Sequence, residues 1–287
     1  MTLIFILIAL GLDFFLGGLE RFRNYSWFTS LFYLLEKRLA HYKFWDGSLG
    51  LVLLLSIPVI GLIILACLLS HGSIILEGLL TLAILIYCLA PEALDNRLDN
   101  LITAVEDDDA ENISTLSDEI TDVHVIDEED ANEKAVIKSA LVESHKRTFA
   151  VIFWFLILGA VGALLYRLVN ELNDELDDIR GGFADSTTIL LNILEWPSSR
   201  IMIIAMALAG SLSDVFSGWK KSEHLSLDVN NDVIIKAGLG ALQYMPEVDV
   251  PDREKSYWLD ELKALINRTL IICLAILGIM TLSGKLG

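Results

Sequence analysis

Phe149 to Leu172 reads FAVIFWFLILGAVGALLYRLVNEL. Its first seventeen residues carry no charge, and with Tyr166 the apolar run is long enough to cross the roughly 30 Å of a bilayer's hydrocarbon. The run closes on Tyr166–Arg167, and a cation at the end of a spanning helix is expensive to hold. Arg167 must therefore snorkel to the interface or find a partner inside the bundle. Either outcome makes the chain a membrane protein with a polar site near one surface.

Working outward, apolar windows recur along the chain. Thr2 to Leu19 is interrupted by Asp13; Leu49 to Leu69 is uncharged, with Pro58 as a tolerated kink. Ile74 to Ala90 returns after a short Ser-His-Gly-Ser turn, and Phe149 to Val169 follows. Pro197 to Leu212 is short, and Ile266 to Gly284 is the last. Six candidate spans result, and apolar residues make up 54% of the chain while its charges cluster between these windows, unlike a soluble domain. The opening segment has no basic stretch before it and no small-x-small cleavage pattern before Arg21, so it reads as a retained helix.

The expected fold is all-α, a polytopic helical membrane protein with an acidic cytoplasmic insert of helix and loop. Its expected parts are three membrane helices in 1–90, an acidic cytoplasmic region in 91–148, and central membrane helices in 149–216. A cytoplasmic helical region in 217–265 and a terminal membrane helix in 266–287 complete it. Arg21, Arg23, Lys37, Arg38 and Lys43 load the first connection, and Lys220, Lys221, Lys236, Arg253, Lys255 and Lys263 the last. Excess Lys and Arg mark cytoplasmic loops, which places both termini and the acidic stretch around Asp178 in the periplasm.

Within 91–148, Leu94, Leu98, Leu101, Ile102 and Val105 line one face of a helix. The acid-rich run that follows reads as a solvated segment. A sharper reading gives Asp107, Asp108, Asp109 and Asp127 to Asp130 to a divalent cation, since Mg²⁺ takes hard oxygens, although no calcium-loop spacing occurs. From Ala131 a helical pattern runs without a breaker into the Phe149 span, carrying Glu143, His145, Lys146 and Arg147. Glu143 and Arg147 have i,i+4 salt-bridge spacing. In Glu195-Trp196-Pro197-Ser198-Ser199-Arg200, Pro197 reads as the first turn of a helix, with Trp196 in the interface belt. After Asn230–Asn231 a helix is expected, capped by Asp228 or Asn231, whose Ala237-Gly238-Leu239-Gly240-Ala241 stripe permits close helix approach.

Several functions lack their motifs. There is no phosphate-binding loop, no dinucleotide fingerprint and no Cys-His zinc spacing. Cys67, Cys88 and Cys273 lie in apolar segments, where a thiol acts as a small hydrophobe. A net charge of −18 without basic, aromatic-laced patches argues against nucleic acid. Candidate polar-pocket residues are Asp13, Glu143, Arg147, Trp154, Tyr166, Arg167, Asn170, Glu195 and Arg200, with Arg167 or Arg200 the expected counter-ion for Asp13. Glu77 is a further near-membrane carboxylate.

Four stretches together resemble a known family: FAVIFWF…ALLYRL with Gly159 and Gly162, ALGLDFFLGG at 9–18, VESHKRTFAV at 142–151 and ILEWPSSRI at 193–201. They resemble the AmpE family, inner-membrane modulators of β-lactamase induction, a divergent branch of the CobD/CbiB family. The CbiB members are membrane enzymes that join an amino-alcohol to a cobyric acid precursor. The resemblance implies an inner-membrane protein that senses cell-wall status, with a cell-wall-derived small molecule or a signalling protein as partner beside the lipid bilayer. It implies as the alternative a cytoplasm-facing amide-forming synthetase of the adenosylcobinamide-phosphate synthase type, using ATP and Mg²⁺. Arg200 matches the arginine of the family's Pro-x-Arg-Leu element. Just before the signature span, CbiB enzymes have a pattern like ESxAENxxDG; here VESHKRT lacks the Asn and the Asp-Gly, which weighs against amide formation and leaves catalytic residues unassigned.

Overall fold

The computed structural model describes residues 2–16, 23–70, 74–121, 132–177, 179–220, 229–245 and 255–283. Every regular element among them is a helix: α1 (Thr2–Leu16), α2 (Ser26–Leu39), α3 (Ser48–Ser70), α4 (Ile74–Cys88), α5 (Pro91–Glu106), α6 (Ala110–Ile120) and α7 (Asn132–Ser144). A π-helical turn, His145–Phe149, leads into α8 (Ala150–Glu175), followed by α9 (Gly182–Ala209), α10 (Leu212–Lys220), α11 (Asn230–Leu242) and α12 (Tyr257–Leu282). The all-α, polytopic expectation holds.

Among the described residues, five helical runs are long and apolar enough to cross a membrane: α3, α4 continued into α5, α7 continued through α8, α9 and α12. The described part of the opening segment is a shorter apolar helix that carries the buried Asp13, and residues 17–19 of the expected span lie outside the described residues. The windows at Pro197 and Ile266 belong to longer helices than their apolar cores suggest. α9 begins at Gly182, so Pro197 lies inside it rather than in its first turn. The first half of α9 is mixed in character and was hidden in an apparently polar connection. Its start is capped from far away in sequence: the Asp46 carboxylate accepts the Phe183 N–H at 3.0 Å.

The chain divides into two compact units. The first comprises Met1–Ala90 and Ala150–Trp196, the second Pro91–Phe149 and Pro197–Gly287. In the first, α4 packs on α1, α3 and α8. α8 bends at Gly159, whose φ of 64° and ψ of −150° are not helical. A side chain there would meet nothing within 4 Å, so the requirement is conformational, the left-handed φ that glycine adopts without strain. Three residues on, the Trp154 carbonyl oxygen lies only 2.3 Å from where a Gly162 Cβ would sit, so the bend needs both glycines.

In the second unit α7 is the centre. It packs against α5, α6, α11 and α12, and Ala135 through Val142 are all buried, Lys138 and Ser139 included. The small-residue stripe of α11 does what its composition predicts: a Cβ on Gly238 would strike Leu141 of α7 at 2.4 Å, and one on Gly240 would strike the Asp214 carbonyl of α10 at 2.7 Å. Two local expectations change. Residues 110–120 are not merely solvated, since α6 forms there with Asp109 accepting the Asn112 N–H and with Ser117 and Ile120 buried. α11 is preceded by Val229, whose apolar side chain can cap nothing, rather than by Asp228 or Asn231, and its first residue, Asn230, accepts from Arg200 through its side-chain amide oxygen. Asp127 to Asp130 and Asp228 lie outside the described residues.

Candidate functional site

The nine polar-pocket candidates divide between the units. Asp13, Trp154, Tyr166, Arg167, Asn170 and Glu195 belong to the first, and Glu143, Arg147 and Arg200 to the second.

In the first unit, Asp13 is fully buried and pairs with Arg23, a cation that the sequence reading does not put forward for it. Arg23 reaches back from the connection after α1 and also donates Nε to the Ile86 carbonyl at 3.2 Å, tying α1 to α4. Arg167 finds its partner within α8, the Glu171 carboxylate at 2.6 Å, and lies over the Tyr25 ring with 5.3 Å to the centroid. Tyr25 in turn donates to the Tyr87 carbonyl at 2.8 Å and packs against the Tyr87 ring at 4.8 Å. Burial pushes the Tyr25 phenol far above its ordinary pKa, and the neighbouring Cys88 adds to that, so Tyr25 acts here as a hydrogen-bond donor. Tyr166 donates to Glu195 at 3.3 Å, Trp154 to the Leu194 carbonyl at 2.9 Å, and Asn170 to Asp174 at 3.2 Å. Two of these contacts join α8 to α9, so this polar set packs helices together.

In the second unit, Glu143 is held between two guanidinium groups, Arg97 of α5 and Arg147 of the π turn, each at 2.7 Å. The i,i+4 pairing with Arg147 is present as its spacing predicts. His145, the first residue of the π turn, is wholly buried and its Nε2 lies 2.9 Å from the Ser198 hydroxyl; its Nδ1 has no hydrogen-bond partner among the described residues. One wide turn inside an otherwise α-helical run often marks a functional position, because it reorients the side chains around it. Arg200 donates to the Ser199 hydroxyl at 2.8 Å and to the side-chain Oδ1 of Asn230. Ser198, Ser199, Arg200 and Asn230 are all buried. Around this set, Lys263 of α12 pairs with Asp95 at 3.2 Å and with Asp99 of α5, and Lys255 pairs with Asp108.

Reading by residue type missed Arg23, Arg97, Ser198 and Asn230. Arg23 had a signal, being a cation close behind a helix that contains a lone acid. Arg97 and Asn230 had none, because their partners lie 46 and 30 residues away in sequence. No group of three or more His, Cys, Asp or Glu among the described residues could hold a metal ion, and Asp108 and Asp109 serve instead in an ion pair and a helix cap.

Residues 6–245 match the family model described as CobD/Cbib protein. The chain belongs to the CobD/CbiB family. It is similar to a cobalamin biosynthesis protein CobD of Chromobacterium violaceum, 29% identical over 117 residues that make up 38% of this chain and 36% of that protein. It is also similar to a cobalamin biosynthesis protein CobD of Stutzerimonas stutzeri, 30% identical over 125 residues, 42% of this chain and 41% of that protein. The matched stretch thus spans about two fifths of these relatives' length. No solved structure matches the chain. Family membership and the five apolar helices together make this a multi-pass protein of the bacterial inner membrane.

Proposed function

We propose that this chain is a non-catalytic member of the family, an inner-membrane signalling or sensing protein of the AmpE type that modulates β-lactamase induction in response to cell-wall status. One observation carries the reading. In the segment where the CbiB pattern has Asn and Asp-Gly, Glu143 is clamped by Arg97 and Arg147, and Lys146 adds a third cation to the segment. A metal–nucleotide needs hard anionic oxygens facing it, and a carboxylate already shared by two guanidinium groups is a poor ligand for Mg²⁺. The residues present therefore do not fit ATP and Mg²⁺, and no step through them is drawn. A cell-wall-derived small molecule or a signalling protein remains the partner proposed.

The second reading is the amide-forming synthase of the adenosylcobinamide-phosphate type. The comparisons favour it over the first, since both named relatives are cobalamin biosynthesis proteins. The residues at 143–147 weigh the other way. Two genetic backgrounds separate the readings. Signalling requires that the gene restore β-lactamase induction to a strain lacking its own AmpE, and that it fail to support growth on cobyric acid and aminopropanol in a strain lacking its own synthetase. Growth in the second strain without effect in the first would establish the synthase instead. Either reading faces the acidic region toward the cytoplasm, so reporter fusions at Glu128 and Asp178 should signal from opposite sides of the membrane.

A further inference from the structure

We propose that α10 is an interfacial helix whose outer groove seats on the boundary between acyl chains and glycerol esters of a phospholipid leaflet. α10 follows the spanning helix α9 after only Gly210 and Ser211. Leu212 and Phe216 are 51% and 38% exposed, and with Ser213 and Ser217 they line a groove of about 470 Å³. Two apolar side chains beside two hydroxyls match the mixed chemistry of that boundary, where interfacial helices bury their apolar face. The Trp219 ring stacks on Phe216 at 5.7 Å, and tryptophan is the residue most at home in this zone.

The helix cannot turn this face inward. Val215 on its other side is fully buried, Asp214 accepts a hydrogen bond from Gln243 at 2.7 Å, and Gly240 lets α11 approach the Asp214 carbonyl closely. The end of the preceding span is apolar and exposed as well. Ile201, Ile204 and Leu208 are exposed apolar residues on this end of α9, and Leu212 and Phe216 are exposed on α10 just beyond the Gly210–Ser211 bend. A helix that leaves the span after two residues starts at the membrane boundary, so lipid that covers the end of α9 lies next to α10. The seat is independent of both functional readings.

The test uses the full chain in phospholipid nanodiscs, with Cys67 and Cys273 replaced by Ser and the fully buried Cys88 kept. Nitroxide labels go on Leu212→Cys, Phe216→Cys and, to spare the apolar pair, Ser217→Cys, with Glu111→Cys on the polar α6 as the aqueous reference. Power-saturation spectra then compare collisions with oxygen, which partitions into lipid, and with a water-soluble nickel chelate. Oxygen should prevail at 212, 216 and 217, and the chelate at 111. Chelate access at the α10 positions equal to that at 111 would overturn the lipid seat. Exclusion of both reagents would also overturn it, by showing that a second protein surface covers the groove.

Discussion

Helices α3 and α9 are both long and apolar enough to cross a bilayer, but they are built for different surroundings. α3 has no charged residue, and only 22% of its membrane-length window is buried; Val52, Ile57, Ile60, Ile64 and Leu68 face outward. In α9 the corresponding figure is 56%, and the helix carries Thr187, Glu195, Ser198, Ser199 and Arg200 among its buried residues. Lipid tails are as apolar as leucine, so α3 gains nothing by hiding its side chains, whereas the polar groups of α9 must be enclosed with partners. Helices that meet lipid thus differ from helices that carry the interior chemistry, and α8, half buried and holding Tyr166, Arg167 and Asn170, sides with α9.

The largest expected effect breaks an interior ion pair. Asp13→Ala leaves Arg23 buried without this carboxylate and should cost about 3–5 kcal/mol. Thermal unfolding in nanodiscs reads the loss, and Asp13→Leu with Arg23→Met should recover most of it. A small loss from the single variant would mean that the pair is wet, and the division between interior and lipid-facing chemistry would blur.

Next come two glycines. Gly240→Ala drives a methyl into the Asp214 carbonyl oxygen of α10 and should destabilise by about 1–3 kcal/mol through overpacking. Gly61→Ala on the outer face of α3 meets nothing within 4 Å and should be neutral or stabilising by up to about 1 kcal/mol. Equal costs at the two sites would place α3 against protein rather than lipid.

The smallest effect is a pH dependence confined to the α10–α11 contact. Hydrogen bonds from Ser211 at 2.6 Å and Gln243 at 2.7 Å hold the Asp214 carboxyl below its ordinary pKa. A depressed folded-state pKa stabilises above the unfolded value, and the contribution disappears as pH falls through the folded value. An NMR titration of Asp214 should show the lowered midpoint, and Gln243→Ala should raise it. An unmoved midpoint would mean that Gln243 does not hold α10.

Charge-free windows, helical periodicity and the i,i+4 spacing of Glu143 and Arg147 were local patterns, and α3, α5 and the Glu143–Arg147 pair follow from them, whereas the π turn interrupts what read as one unbroken helix. What could not be read locally was pairing over distance. Asp46 capping α9, Arg97 completing the clamp on Glu143 and Asn230 accepting from Arg200 each join segments far apart in sequence. Residue types announce that partners are needed, and tertiary packing decides which partners are met. The bend at Gly159 is intermediate, since the glycine was visible but its left-handed φ was not.

The central claim, that the clamp on Glu143 marks a family member without amide-forming chemistry, is tested most directly on the purified full chain in nanodiscs. The protein is supplied with cobyric acid, aminopropanol or its phosphate, ATP and Mg²⁺, and the amide product is followed by mass spectrometry beside an authentic synthase. No product above background is expected while the authentic enzyme turns over. Product formed by this chain, and lost in Glu143→Gln, would contradict the claim and make Glu143 part of a working synthase site.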